Sequence, residues 1–255
     1  MRAGDAEVTG IAYDSREVKP GWLFVAMQGG SFDGHRFISG AVEAGASAIL
    51  CERDVEDVSV PCVVVPDGRT AMGEIAAPFF GYPSRKMKLI GVTGTSGKTT
   101  VTHLIQSIFT AAGRPAGLIG TLGARIGDEL IETKHTTPES VDLQRTLVYM
   151  VDQGVQAAAI EASSHGLYQG RTLGCEFDCG VFTNIARDHD LPVLQRGEPA
   201  NVVLAPHVHP VITDAIQTRV QYAAIQVKPR NGEVETGAGV SPRACYGQHL
   251  QRRRQ

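Results

Sequence analysis

A chain of 255 residues, 42% hydrophobic and with a formal net charge of -3, has material for one large or two small domains with real cores. The near-neutral balance gives no support to nucleic-acid binding by the whole molecule. No apolar run approaches the roughly 18 residues of a membrane span, and five cysteines are too few for a disulfide framework.

The start, Met1–Gly10, lacks the apolar core of a signal peptide, so the cytoplasm is the expected compartment. The charge is uneven: 16 basic against 22 acidic residues over 1–189, then 8 against 5 over 190–255. The first part, to Ser84, reads as a small α/β unit. Leu23–Met27, Ala48–Leu50 and Cys62–Val65 have strand character, Phe37–Ala44 and Arg69–Phe80 have helical spacing, and Gly81–Ser84 is a turn and candidate domain boundary. From Lys88 the rhythm is that of a mostly parallel sheet. Lys88–Thr93 is an expected strand, followed by a glycine-rich turn and a helix over Lys98–Ala112. That helix places Val101, Leu104, Ile105, Ile108 and Ala112 on one face, the spacing of a stripe packed on a sheet. Ala116–Ile119 is the next strand, and Thr137-Pro138 reads as the N-cap and first turn of a helix ending near Gln153. Ala157–Glu161 and Gly180–Thr183 complete the strands. After His189 the alternation stops. Val202–Leu204 and Val220–Val227 have some strand character, but 190–255 reads as a low-order tail.

The strongest chemical signal is Gly94-Thr95-Ser96-Gly97-Lys98-Thr99-Thr100 between a strand and a helix. Val92 stands where the strict phosphate-loop pattern has its first glycine. The physical requirements are still met. Glycines let backbone N–H groups close on phosphate oxygens, the helix start adds a positive dipole end, Lys98 neutralises phosphate, and the Thr99 hydroxyl suits Mg²⁺. Glu161 ends a buried strand at the edge where a metal-holding carboxylate belongs, beside Ser163, Ser164 and His165. Asn184 and Arg187-Asp188-His189 occupy the corresponding edge one strand later. On chemistry alone His189 reads either as a metal ligand or as a surface histidine. Cys175 and Cys179 read as core thiols rather than a zinc site, His103 as a packing or surface residue, and His207, His209 and the terminal arginines as solvated.

In order and spacing, GTSGKTT, HTTPES, EASSHGLYQGR and TNIARDH resemble the central ATPase domain of the Mur ligase family. Asp14-Ser15-Arg16, Gly21–Ala26 and Asp33-Gly34 resemble the UDP-binding N-terminal domain of its tripeptide-forming branch. The resemblance covers about residues 7–189. It implies a UDP-muramoyl-binding unit over 1–84, a phosphate-loop ATPase unit over 85–189 and an unrelated tail over 190–255. It also implies ATP-dependent addition of a third amino acid, lysine or diaminopimelate, to UDP-N-acetylmuramoyl dipeptide through an acyl phosphate. The cofactors are ATP and Mg²⁺, and a monomer with no nucleic-acid or membrane partner is expected. Carried over by position, Gly94–Thr100 hold ATP and Thr99, Glu161 and His189 surround the metal. Lys98, Glu161 and His189 carry the catalysis. Tyr13, Ser15, Gly30, Ser31, Phe32, Thr136, Thr137, Ser163, Gln169 and Arg171 contact the UDP-muramoyl substrate, although Gly30 and Ser31 depart from the commoner polar loop. Family members also have a third domain and a carbamylated lysine soon after the Arg-Asp-His motif. Here the next lysine is Lys228, and Asp190-Leu191-Pro192 replaces the family's continuation. The change is as abrupt as a reading-frame shift or a chimeric gene end would produce, so a fragment is expected: either a ligase of this family or a non-catalytic remnant that keeps the ATP and UDP-sugar surfaces, with no turnover expected. Folylpolyglutamate and cyanophycin synthetases, the runner-up ligases, fit Asp14-Ser15-Arg16 and the Ser-Ser-His-Gly-Leu run less well.

Overall fold

The computed structural model describes residues 6–29, 33–184, 200–201 and 223–224. Its first sheet is formed by β1 (Gly10–Ala12), β2 (Trp22–Ala26), β3 (Ala48–Cys51) and β4 (Cys62–Val64), all parallel and in that order. Alternation along these strands sends side chains to two different cores. Phe24, Ala26, Ile49 and Cys51 face Ile38 and Ala41 of α1 (Ile38–Glu43). Val25, Met27 and Leu50 pack with Met72 and Ala76 of α2 (Gly68–Phe79). The Asp67 carboxylate caps α2 by accepting from the Thr70 N–H at 2.9 Å. The chain leaves the helix through Gly81 and Tyr82, both in the left-handed region (φ 68° and 51°).

The second sheet has the order β10-β5-β9-β6-β7-β8. Here β5 is Lys88–Thr93, β6 Ala116–Gly120, β7 Gly123–Ile126, β8 Glu129–Ile131, β9 Ala157–Glu161 and β10 Cys179–Phe182. The strands β10, β5, β9 and β6 are parallel, whereas β7 and β8 are added antiparallel through tight turns. Helix α4 (Ser140–Asp152) covers one face with Leu143, Leu147 and Met150 against Leu89, Ile119 and Ile160. Its Val141 reaches the core shared by the first sheet and α2, so α2 and α4 lie between the two sheets. Helix α3 (Lys98–Ala111) packs on β9 and β6, and α5 (Ser164–Tyr168) follows β9. Ala200–Asn201 (β11) and Ala223–Ala224 (β12) form a two-residue parallel pairing. The fold is α/β with mostly parallel sheets, as the sequence pattern implies. Among the described residues no helix is long and apolar enough to cross a membrane.

Two expectations need correction. The apolar stripe expected on α3 is not its buried face: Leu104 is 56% and Ile108 66% exposed, while Thr102 is fully buried. Thr102 can go inside because its hydroxyl donates to the Thr99 carbonyl at 2.9 Å, leaving no unsatisfied donor. Helix α4 starts at Ser140 rather than after Thr137. The Thr137 hydroxyl, expected to cap it, is drawn instead to the Glu161 carbonyl at 2.7 Å. The sequence reading did not include β1, β7, β8, α5 or β11. The Val202–Leu204 expectation lies outside the described residues.

Candidate nucleotide and substrate site

Parallel strands place their C-terminal ends at one edge, and the polar groups gather there. The loop 94–97 leaves β5 and enters α3 through Gly97 (φ 81°). Gly94 (φ 133°) has no room for a side chain, since a Cβ would lie 2.2 Å from Thr183 Oγ1 and 2.8 Å from the Asn184 carbonyl oxygen. The end of β10 braces this loop. Thr183 Oγ1 donates to the Ser96 carbonyl (2.6 Å), Asn184 Oδ1 accepts from the Ser96 N–H (3.0 Å), and Asn184 Nδ2 donates to Ser96 Oγ (2.9 Å). Lys98 Nζ sits in the loop, donating to the carbonyls of Gly94 (2.7 Å) and Thr95 (3.1 Å).

Glu161, at the end of β9, is 1% exposed. Its carboxylate meets the start of α3, where Thr99 Oγ1 donates to Oε2 at 3.0 Å. From the end of β6, the Thr121 N–H donates to Oε1 and its hydroxyl to Oε2, both at 3.1 Å. Gly120 makes this approach possible, because a Cβ there would fall 2.1 Å from Glu161 Oε1. Thr121 Oγ1 is also 3.1 Å from Thr136 Oγ1. The donors at the loop mouth are therefore all oxygens, the chemistry a hard cation such as Mg²⁺ prefers. Among the described residues no group of three His, Cys, Asp or Glu is placed to hold a metal. His189 lies outside the described residues.

The expected substrate residues fall into two groups. In the second unit, Thr137 is fully buried; its hydroxyl donates to the Glu161 carbonyl and accepts from the Ser163 N–H (3.0 Å). Ser163 Oγ caps α5 by accepting from the Gly166 N–H (3.1 Å). Arg171, 8% exposed, donates to the Thr137 carbonyl (2.9 Å) and pairs with Glu139 (3.1 Å). Burial pushes its basicity down, with Glu139 opposing. Arg171 Nε and Gln169 Oε1 are buried and have no hydrogen-bond partner among the described residues. In the first unit, the Tyr13 hydroxyl donates to Asp142 of α4, and burial together with that carboxylate raises its pKa. Ser15 opens a 3₁₀ turn capped by Asp14, whose carboxyl is held down at about 2 by the Arg16 guanidinium. Gly30, Ser31 and Phe32 lie outside the described residues. What flanks them is firmly braced. The Glu52 carboxylate accepts from the N–H groups of Gln28 (2.7 Å) and Gly68 (2.8 Å), and His35 links Asp33 to the Glu52 N–H.

Sequence reasoning missed several residues at this edge. Arg69 of α2 donates to both carboxylate oxygens of Glu139 at 2.7 Å, joining the first unit to the second. Lys134 pairs with Glu17 across the same boundary at 2.8 Å. His135, beside it, is exposed; partial burial first, then the charge of Arg171, lower its pKa. Thr121 was missed as well, and it alone left a local signal, a Gly-Thr pair at a strand end. The Cys175 thiol accepts from Gln144 Nε2 (3.3 Å), and Cys179 lies half-buried on β10.

Comparison with known proteins places this geometry. Residues 7–80 match the profile described as Mur ligase family, catalytic domain, and residues 92–190 match the Mur ligase middle domain. The UDP-N-acetylmuramoyl-L-alanyl-D-glutamate--2,6-diaminopimelate ligase of Geobacillus thermodenitrificans (strain NG80-2) is 50% identical over 188 residues, 74% of this chain and 38% of that protein. The ligase of the same name from Listeria monocytogenes serovar 1/2a is 50% identical over 183 residues, 72% of this chain and 37% of that protein. A solved structure of a ligase so named is 35% identical with a TM-score of 0.64, covering 72% of this chain and 38% of that one. The chain thus spans well under half the length of these relatives. By two adjoining family matches, by identity and by fold, it belongs to the Mur ligase family.

Proposed function

We propose that these residues form the ATP-binding and UDP-muramoyl-binding parts of a ligase that adds the third amino acid to UDP-N-acetylmuramoyl-L-alanyl-D-glutamate, with 2,6-diaminopimelate as the amino acid. The relatives' names support diaminopimelate over lysine. The observation that carries the reading is the oxygen cage at the loop mouth, where Thr99, Thr121 and Glu161 meet beside Lys98. In the same reading, residues 1–84 and 85–189 are the substrate and nucleotide units, 190–255 is a tail of other character, and the protein is a cytoplasmic monomer.

The chemistry has to bring an anionic carboxylate to an anionic phosphate. With the Thr95 and Ser96 N–H groups already bonded to Asn184, the backbone N–H groups of Gly97 and the start of α3 receive the phosphates, and Lys98 offsets their charge. Thr99 and Glu161 would hold Mg²⁺, which when bound neutralises charge developing on the transferred phosphoryl group. Arg171 Nε and Gln169 Oε1 are the donor and acceptor assigned to the muramoyl peptide, beside the pairs of Arg69 and Arg171 with Glu139 and of Lys134 with Glu17. The carboxylate so oriented attacks the γ-phosphorus of ATP and ADP leaves, giving an acyl phosphate; the incoming amine then attacks the acyl carbon, phosphate leaves, and the amine's proton is released as the amide forms.

Calorimetric titration of the chain with an ATP analogue and Mg²⁺, and with UDP-muramoyl dipeptide, tests the binding assignments. The expected result is binding of both, lost for nucleotide in Lys98→Met and for the muramoyl ligand in Arg171→Met. Phosphate release dependent on added diaminopimelate would extend the assignment to the whole reaction. Binding without release would confine the chain to the two binding steps, and failure to bind either ligand would refute the proposal.

A further inference from the structure

Glu161 reaches the loop mouth as a long carboxylate whose two oxygens must be aimed for it to hold a cation. Thr99, the residue that would share the cation, also spends its hydroxyl on Oε2. That contact cannot by itself define the plane of the carboxyl group. Thr121 grips both oxygens, its N–H on Oε1 and its hydroxyl on Oε2, each at 3.1 Å. A two-point hold of this kind fixes the rotation of the carboxylate as well as its position. The β-branch of threonine stiffens χ1 and so holds the hydroxyl donor in place.

The hydroxyl of Thr121 has one proton and two lone pairs. With its proton on Glu161 Oε2, it can only accept from Thr136, whose Oγ1 lies 3.1 Å away. A single direction of donation follows, Thr136 to Thr121 to Glu161. It runs from a residue on the substrate side to one on the metal side. Gly120, lacking the Cβ that would strike Glu161, lets Thr121 sit this close.

We infer that Thr121 is a positioning residue: it orients Glu161 for the divalent cation and links that carboxylate to Thr136 at the substrate edge. The inference rests on the ATP and Mg²⁺ reading above, where Thr121 is only part of the oxygen cage, and gives that residue a role of its own. Partners that orient a metal ligand typically contribute about 10- to 100-fold in metal affinity.

The test uses the chain as it stands, with Mn²⁺ as a paramagnetic probe and a non-hydrolysable ATP analogue. Free and bound Mn²⁺ are counted by electron paramagnetic resonance, and metal-free nucleotide affinity is measured alongside. Thr121→Val keeps the backbone N–H and the shape but loses the hydroxyl. It is expected to weaken Mn²⁺ binding about tenfold while metal-free nucleotide affinity is unchanged, with Thr121→Ser restoring most of the loss. Thr121→Ala, which leaves space rather than a methyl group, gives the same reading should the valine variant not fold. If Glu161→Gln loses Mn²⁺ while Thr121→Val binds it as tightly as wild type, the positioning role is wrong and the metal site stands. If wild type and Glu161→Gln bind Mn²⁺ equally, the metal reading fails and this inference falls with it.

Discussion

Replacing Glu139 by glutamine should cost more stability than any other single uncharging substitution at the boundary between the two units. Its carboxylate accepts from Arg69 on both oxygens at 2.7 Å and pairs with Arg171 at 3.1 Å. The side chains of Glu139 and Arg171 are only 6% and 9% exposed, and that of Arg69 is 26% exposed. Glutamine keeps the shape, but its NH₂ group faces a guanidinium N–H, and two cations remain together with no carboxylate between them. Removing one partner of a fully buried pair costs about 3–5 kcal/mol, which leaves an uncompensated charge. Because water reaches Arg69, we place the Glu139→Gln loss at about 2–4 kcal/mol. For a domain of this size each kcal/mol lowers Tm by about 2–4 °C, so a drop of about 4–16 °C is expected. Arg69→Met should cost less, about 1 kcal/mol, since Glu139 keeps Arg171. Circular-dichroism melts of both single variants and the double variant form a cycle whose coupling should exceed about 0.5 kcal/mol. A Glu139→Gln variant that melts within 1 °C of wild type would refute the claim that this carboxylate holds the two units together.

Gly120→Ala should destabilise the fold by about 1–3 kcal/mol through forced displacement, and it should abolish metal-dependent nucleotide binding, because its Cβ would fall 2.1 Å from Glu161 Oε1. Both effects are read from a melt and a calorimetric titration. Burial pushes the fully buried Cys51 thiol up to about 12, so at pH 8 iodoacetamide should label half-buried Cys179 well before it. Equal labelling rates by peptide mapping would contradict the packing described. The Asp14 carboxyl, held at about 2 by Arg16 against an ordinary 3.8, stabilises the fold above pH 3.8 and loses that contribution as pH falls through about 2. Arg16→Ala should return its midpoint toward 3.8 in an NMR titration, and added salt should raise the wild-type midpoint because Arg16 is exposed.

The sequence disclosed what is encoded locally. The strands β5 and β9 matched their expected limits because a continuous apolar run in a parallel sheet needs no partner to be recognised. The loop 94–97 and Glu161 were legible for a related reason: a strand end, glycines and a charged side chain lie within a few residues. Where the reading failed, a distant partner decided the outcome. Thr137 was a good helix cap until the Glu161 carbonyl, 24 residues away, claimed its hydroxyl. The apolar stripe of α3 lost to Thr102, whose bond to the Thr99 carbonyl made burial cheap. The β7–β8 hairpin is too short for its alternation to stand out, although the two-residue Gly127-Asp128 turn is the signal that could have found it.

The residues that were missed share a geometry that explains both their invisibility and their use. Arg69 and Glu139 are 70 positions apart, and Thr121 and Glu161 are 40 apart. Each pair closes a contact between elements that the sheets had already brought to one edge. Glu161 lies between them: its carbonyl holds Thr137, whose own carbonyl holds Arg171, which pairs with Glu139, and Glu139 holds Arg69 on the first unit. Its carboxylate, meanwhile, meets Thr99 and Thr121. A single residue at the end of β9 therefore connects the nucleotide loop, through side chain and backbone in opposite directions, to the helix of the other unit. A change in how α2 sits on α4 has a bonded route to Glu161 through Arg69, Glu139, Arg171 and Thr137, all of them buried except the partly exposed Arg69.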